Sequence, residues 1–278
     1  MIPASLSKSV KILAIVPARR NSKRLPHKNI KLLQGVPLIA WTIDTAIKSC
    51  VFDDVLVSSD DLEAIAIANR LGVSAPWVRP AALASDTAPT ALVLQHALLS
   101  HERDRGAFDI VVLLQPTSPF RTIGTIKGAV RRFLEQSSAE RHPVVSVMPM
   151  AHGHPAWSFF IENDNMIPML GWDALRTRSQ DLSPAVTLNG LIYVFSAEQV
   201  RQGGQLITEN TIPYLAHDEE ESIEVDTPFQ WRVAELIASR RELPKIELRL
   251  PSSRADLLDE SQRLAGPPQA LFGERLSN

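Results

Sequence analysis

Arg19, Arg20, Lys23, Arg24 and Lys28 fall within ten residues, with no acid among them, directly after the apolar run Ile12 to Val16. In an open α/β sheet, ligands bind outside the carboxyl ends of the strands, so a cationic loop at such an end suits a polyanion. The loop contains no glycine and is therefore not the G-x-x-x-x-G-K-[ST] phosphate loop, in which backbone amides do the cradling. Side chains supply the positive charge instead, and the expected ligand is a polyphosphate. A second concentration has the opposite sign: Asp218, Glu219, Glu220, Glu221, Glu224 and Asp226. Asp218 to Glu221 read as a solvated acidic turn. Glu224 and Asp226 are two apart, so on a strand they face the same side and present oxygen ligands to a hard cation. Magnesium takes one or two carboxylates and completes its shell with water and substrate phosphates, so the pair is sufficient. Basic side chains and magnesium together suit attack at phosphorus, where they hold phosphates and neutralise the leaving group.

Other chemistries find less support. His152 and His154 lack the further ligands of a zinc site. Ser22 and Ser118 have no neighbouring base in sequence, and no G-x-S-x-G elbow occurs. The formal charge of −2 and the absence of aromatic residues interleaved with the basic cluster argue against nucleic-acid binding. The single Cys50 excludes an internal disulfide framework and fits a cytoplasmic setting. Met1 to Lys11 lacks the apolar block of a signal peptide, and no apolar run is long enough to span a bilayer.

The elements that position these residues alternate between strand and helix. A helix follows the basic loop, with Leu38, Ile39, Ile43, Ala46, Ile47 and Cys50 on its stripe and Trp41 and Asp44 off it. Asp54 to Asp60 reads as a second buried strand, with Asp60 and Glu63 as a capping box and Gly72 as the helix stop. Val73 to Val78 is expected as a short strand, and Ala91 to His101 as a helix with Pro89 in its first turn. Asp109 to Gln115 is the clearest strand; it opens into the polar loop Pro116 to Thr122, whose Thr122 caps a helix to Gln136. Val144 to Met148, Asn189 to Phe195 and Ser222 to Asp226 complete the strands, and Thr227-Pro228 opens a last helix to about Ser239. This alternation predicts an α/β fold with a mostly parallel sheet covered on both faces. From about residue 150 to 185 the rhythm breaks, and Trp157, Phe159, Phe160, Met166, Met169 and Trp172 crowd an irregular span, expected as an arm that meets another subunit. The main domain is expected over residues 10–240, and residues 241–278 form a Pro- and Gly-punctuated tail, partly disordered or loosely docked.

Five blocks in this order and spacing carry a family resemblance: Ala18 to Asn29; Arg79-Pro80 with Leu83 to Thr87; Gln115 to Arg121; Asn189 to Tyr193; and Ser222 to Thr227. Together they resemble the N-acylneuraminate cytidylyltransferases, or CMP-sialic acid synthetases, from about residue 10 to residue 240. The resemblance implies a Rossmann-like three-layer nucleotidyltransferase fold and a homodimer with an arm reaching the neighbouring subunit. The implied reaction is CTP plus a nine-carbon 2-keto sugar acid giving the CMP-sugar and pyrophosphate, with Mg2+ as cofactor. By matching position, Ala18, Arg19, Lys23, Lys28 and Asn29 serve the triphosphate and ribose, while Arg79, Ala88 and Thr90 line the cytosine pocket. Gln115, Asn189 and Arg178 face the sugar acid, and Glu224 and Asp226 hold magnesium. Arg19, Lys23 and Asp226 are the implied catalytic groups, Asp226 helping to deprotonate the anomeric hydroxyl. Glu224 stands where the family usually carries Asp, and Ser179 where it tends to place an arginine. The alternatives are a cytidylyltransferase for an eight-carbon sugar acid and a sugar-nucleotide-binding protein of this fold that has lost turnover.

Overall fold

The computed structural model describes residues 10–138, 140–150, 153–216 and 218–244. Residues 245–278 of the expected tail, and His152, lie outside the described residues. The chain runs β1 (Ile12–Ala18), a small hairpin of β2 (Leu32–Leu33) and β3 (Val36–Pro37), α1 (Leu38–Ser49), β4 (Asp54–Ser59), α2 (Leu62–Arg70), α3 (Thr90–Arg105), β5 (Ile110–Leu113), α4 (Ile123–Leu134) and β6 (Val144–Pro149). Then come the hairpin β7 (Phe159–Glu162) and β8 (Asn165–Pro168), β9 (Val186–Ser196), α5 (Ala197–Gln202), β10 (Ile212–Leu215) and α6 (Pro228–Ala238).

The main sheet has the order β10-β6-β9-β5-β1-β4. Within it β1 pairs in parallel with β4 and β5, and β6 with β10, whereas β9 runs antiparallel to both its neighbours. The central strands are apolar at nearly every position because both faces are covered. On one face Ala14, Val16, Val57 and Val112 meet α1, α2 and α4; on the other, Leu13, Ile15, Leu56 and Val111 meet α3 and α5. A third apolar cluster, with Trp41, Phe120, Val225 and Trp231, packs α6 over the loops at the carboxyl edge of the sheet.

Several expectations change in detail. Val73 to Val78 forms no regular strand; it touches the sheet through isolated parallel bridges at Ser74 and Val78. The cap of α2 is Asp61, which accepts from Glu63 N, because the Asp60 carboxylate is engaged by Arg20 and Arg79. α3 starts at Thr90, with Pro89 as its N-cap residue rather than in its first turn, and runs a turn beyond His101. Trp41, off the predicted stripe, is buried because α6 and Phe120 give α1 a second covered face. β10 has no counterpart in the expectations: its pattern is four residues long and contains Pro213, which an edge strand tolerates. Thr122 and Thr227 cap α4 and α6 as expected.

Away from the carboxyl edge, Asp54 at the start of β4 receives His101 Nε2 at 2.8 Å and Ser74 Oγ at 3.1 Å. Burial raises the carboxyl's pKa, but the hydrogen bond and charge of His101, aided by Ser74, outweigh it and hold the group below its usual value of 3.8. A depressed acid contributes stability above its unfolded pKa, lost as pH falls through the folded one. Asp54→Ala is expected to cost about 1–3 kcal/mol at pH 7. Urea unfolding should show this difference shrinking only below about pH 4; a difference constant down to pH 3 would contradict the role of the ionised carboxylate.

Candidate active site

The basic loop leaves β1 at the carboxyl edge of the sheet and is pinned from within. Leu25 is buried in the cluster under α6. Asn29, only 5% exposed, donates through Nδ2 to Arg19 O at 2.9 Å, and its own carbonyl accepts from Ile39 N at 2.8 Å. The end of the loop is thereby tied both to its beginning and to the first turn of α1. His27 takes a left-handed φ of 54°, and Ile30 N and Lys31 N turn back onto its carbonyl. With the backbone fixed in this way, the cations project from a defined frame.

Carboxylates meet those cations from across the cleft. Arg19 Nη1 and Lys23 Nζ both pair with Asp86, the latter at 2.8 Å. Arg24 and Lys28 both pair with Asp226. Hydrogen bonding from Lys23, with the charge of Arg19, holds the Asp86 carboxyl below its usual range. Arg20 N donates to Asp60 Oδ1 at 2.9 Å, and Asp60 also receives Arg79 at 3.3 Å. Arg79 is almost wholly buried; burial pulls its pKa down, Asp60 opposes the shift, and Arg19 adds repulsion.

The segment that carries the acidic pair is an extended loop, not the expected strand. It keeps strand-like alternation because Val225 is fully buried and its N–H donates to Thr117 O at 2.7 Å, which turns Glu224 and Asp226 to the cleft. Glu221 is a correction to the expected solvated turn: it is 5% exposed and accepts from Thr125 Oγ1 in the first turn of α4. Glu224 has Thr117 Oγ1 at 3.4 Å. Burial raises its pKa and the neighbouring Asp226 raises it further, against the pull of Lys28. The paired oxygen donors suit magnesium, whose remaining positions fall to water and phosphate; among the described residues no third ligand of the His, Cys, Asp or Glu type joins them.

These walls enclose a cavity of about 300 Å³ lined by Arg19, Lys28, Asn29, Arg79, Ala88, Thr90, Gln115, Glu224 and Asp226, among others. Most of the residues singled out in the sequence therefore meet at one place. β9 runs antiparallel, so its beginning, not its end, lies at this edge, beside the loop that follows β5. Ala18 is buried in the last position of β1, between Pro17 and Arg19 of the cavity wall, and is not itself among the lining residues. Lys23 stands at the rim with its side chain 83% exposed. Asn189 is buried, its Nδ2 bonded to Ser222 Oγ at 3.2 Å and its Oδ1 to Leu191 N at 3.4 Å, so it ties β9 to the acidic segment. Arg178 lies in the arm, 73% exposed and paired with Asp181 at 2.7 Å, away from the cavity. His154 Nε2 lies 3.0 Å from Ser183 O, and among the described residues no group of three His, Cys, Asp or Glu gathers around it.

Asp86 and Thr117 are site residues with no individual role in the sequence reading, which counts Arg24 among the cations of the loop but does not foresee its pairing with Asp226. For Asp86 and Arg24 a signal existed: an acid or base whose sign complements a concentrated patch elsewhere. Its partner, however, was 67 or 202 residues away. Thr117 acts through a backbone carbonyl as much as its hydroxyl, which residue type does not disclose.

The chain is similar to known proteins in sequence and in fold. The sequence profile of the family described as cytidylyltransferase matches residues 13–234. A CMP-N,N'-diacetyllegionaminic acid synthase of Legionella pneumophila is 37% identical over 227 residues, covering 81% of this chain and 95% of that protein. A pseudaminic acid cytidylyltransferase of Campylobacter jejuni is 34% identical over 185 residues, 66% of this chain and 78% of its own length. Among solved structures, CMP:2-keto-3-deoxy-manno-octonic acid synthetase complexed with CTP superposes with a TM-score of 0.59 at 17% identity, over 83% of this chain and 100% of that one. A cytidylyltransferase from Leptospira borgpetersenii superposes with a TM-score of 0.55 at 15% identity, over 91% and 94%. These two likenesses establish the nucleotidyltransferase fold.

Proposed function

The chain belongs to the cytidylyltransferase family and is a nucleotidyltransferase, and from that premise we propose that it transfers CMP from CTP to a nine-carbon 2-keto sugar acid and releases pyrophosphate. The observation that carries the reading is the cavity itself, in which Arg19, Lys28 and Arg79 face Glu224 and Asp226 at the carboxyl edge of the sheet. The substrate class is supported by the names of the legionaminic and pseudaminic acid relatives. A cytoplasmic enzyme fits the use of CTP, and among the described residues no helix is long and apolar enough to cross a membrane.

In this reading the triphosphate enters along the basic loop and draws Arg19 and Lys23 from Asp86, and Arg24 and Lys28 from Asp226. Arg79, Ala88 and Thr90 form the wall at the cytosine. Freed of its cations, Asp226 would hold magnesium with Glu224, and a bound ion would supply charge neutralisation at the phosphates and the departing pyrophosphate. The sugar acid lies beside Gln115. Its anomeric oxygen forms a bond to the α-phosphorus as the bond from that phosphorus to the β,γ-pyrophosphate breaks in line, and the hydroxyl proton passes to Asp226. Arg19 and Lys23 stay with the leaving group as its charge grows.

The arm supports a homodimer. Phe160, Ile161, Met166, Leu170 and Trp172 are each more than half exposed on or beside the β7–β8 hairpin, more apolar surface than a lone subunit ordinarily shows. Ile161→Glu combined with Met166→Glu should convert a dimer to monomers in light scattering; an unchanged mass would remove the arm from the interface.

Pyrophosphate release with CTP, Mg2+ and a panel of N,N'-diacetyllegionaminic, pseudaminic, N-acetylneuraminic and eight-carbon sugar acids tests the reaction. Turnover with a nine-carbon acid is expected. Tight CTP binding without turnover on any acid would favour a binding protein that has lost catalysis, and turnover on the eight-carbon acid alone would change the substrate class. Asp226→Ala should abolish magnesium-dependent release, and Lys23→Ala should chiefly raise KM for CTP, about tenfold if one charge-assisted contact is lost. Full activity in Asp226→Ala would overturn the metal assignment.

A further inference from the structure

The carboxylates that hold cations around the cavity are not equivalent. The groups at Asp86 and Asp226 reach open water: Lys23 and Arg24, one partner of each, have side chains 83% and 67% exposed. A dissolved anion approaches those cations directly, and an exposed pair gives way at little cost. The pair of Arg79 with Asp60 is closed. The Arg79 side chain is 4% exposed and that of Asp60 19%, with Nη2 3.3 Å from Oδ1. The same Oδ1 accepts Arg20 N at 2.9 Å, and Arg79 N donates to Ser59 O at 2.7 Å. Both partners are therefore anchored through the backbone at the ends of β1 and β4.

Arg79 needs this partner. Burial pulls its pKa down, Asp60 acts against that shift, and Arg19, which also lines the cavity, adds repulsion. The Arg79 Nε has no hydrogen-bond partner among the described residues, so the charge leans on Asp60. A buried guanidinium stripped of its acid takes whatever anion comes next, and in a cleft built for polyphosphate that anion is a phosphate. With Asp60 in place the same step is unfavourable, because a phosphate that drew Arg79 away would leave a largely buried carboxylate uncompensated. The exchange open to Asp86 and Asp226 is refused at Asp60.

We propose that Asp60 is a positioning residue that sets which end of the ligand lies where: by holding Arg79 it keeps that guanidinium out of the phosphate grip, so that phosphates seat on the loop after β1 and the Arg79 side of the cavity is left to an uncharged part of the ligand. The inference rests on the reading of the cavity as a nucleoside triphosphate site. Asp60 does not touch the ligand and acts through Arg79. Its negative charge works as negative design, since it disfavours the phosphates at the one buried cation that would otherwise draw them to the wrong side.

The test is NMR of the full chain labelled with 15N-arginine, titrated with inorganic tripolyphosphate, the Arg19 and Arg79 Nε signals assigned by their loss in Arg19→Lys and Arg79→Lys. At saturation in about 0.15 M salt, the Arg19 signal is expected to shift and the Arg79 signal to move no more than those of arginines remote from the cavity. Asp60→Asn keeps an oxygen for Arg20 N and removes the charge. It is expected to bring Arg79 into contact with phosphate, moving its signal and tightening tripolyphosphate about tenfold in calorimetry. A nearby charge that makes no contact is largely screened at this salt and accounts for less than about twofold. In the unsubstituted protein, an Arg79 signal that shifts along with that of Arg19 overturns the inference and leaves the phosphate grip standing. So does a gain below about twofold in folded Asp60→Asn. An Arg19 signal that stays still in the unsubstituted protein overturns the grip itself, and the inference with it.

Discussion

Like charges confined to one short loop at the edge of a sheet repel one another, and the fold answers with carboxylates brought from distant parts of the chain. Asp86 faces Arg19 and Lys23, Asp226 faces Arg24 and Lys28, and Asp60 takes Arg79 and the backbone of Arg20. These pairs close the two sides of the cleft on each other. A polyphosphate offers the same cations more negative charge in a smaller volume, so its arrival is an exchange of anions rather than the filling of an unpaired site. On the proposed reading the exchange would also set an order, because Asp226 would turn to a metal only once Lys28 and Arg24 find another partner.

An arrangement of this kind needs walls that stay in place while partners change. Arg121 provides much of that fixity. It is 3% exposed, donates to Leu191 O, Gln115 O and Thr42 Oγ1, and so joins the middle of β9, the loop after β5 and α1. Burial pushes its pKa down to about 9, with only the charge of Glu221 acting against that. The buried guanidinium is retained despite that cost, and what it holds is the backbone of strand β9 and of the loop after β5 that lines the cavity. Asn29 does the same for the basic loop and Val225 for the acidic one.

Much of this was legible in the sequence, because the signals were local. The apolar run of β1 and the cations after it, the cap at Thr122 and the pair Glu224 and Asp226 each announce themselves within a few residues, and five spaced blocks carry the family likeness. The rest depends on contacts between residues far apart. Asp60 was read as a cap because its spacing to Glu63 fits one, yet Arg79 and Arg20 N claim it. Glu221 was read as solvated because it sits in an acidic run, yet α4 covers it. Asn189 has the residue type to reach a ligand, and its buried tie between β9 and Ser222 is a contact its sequence neighbours do not announce. β10 escaped notice because four residues with a proline give too little pattern.

On the proposed reading the site combines a fixed frame with exchangeable ion pairs, and the triphosphate, more than the base or sugar, would be the part of the nucleotide that drives the exchange. Calorimetric titration with CTP and with CMP, at low salt and at high salt, tests this most directly. CTP is expected to bind at least about tenfold tighter than CMP at low salt, with the gap narrowing as added ions screen the loop. Equal affinities, or a gap indifferent to salt, would contradict the account of the basic loop as a polyphosphate grip.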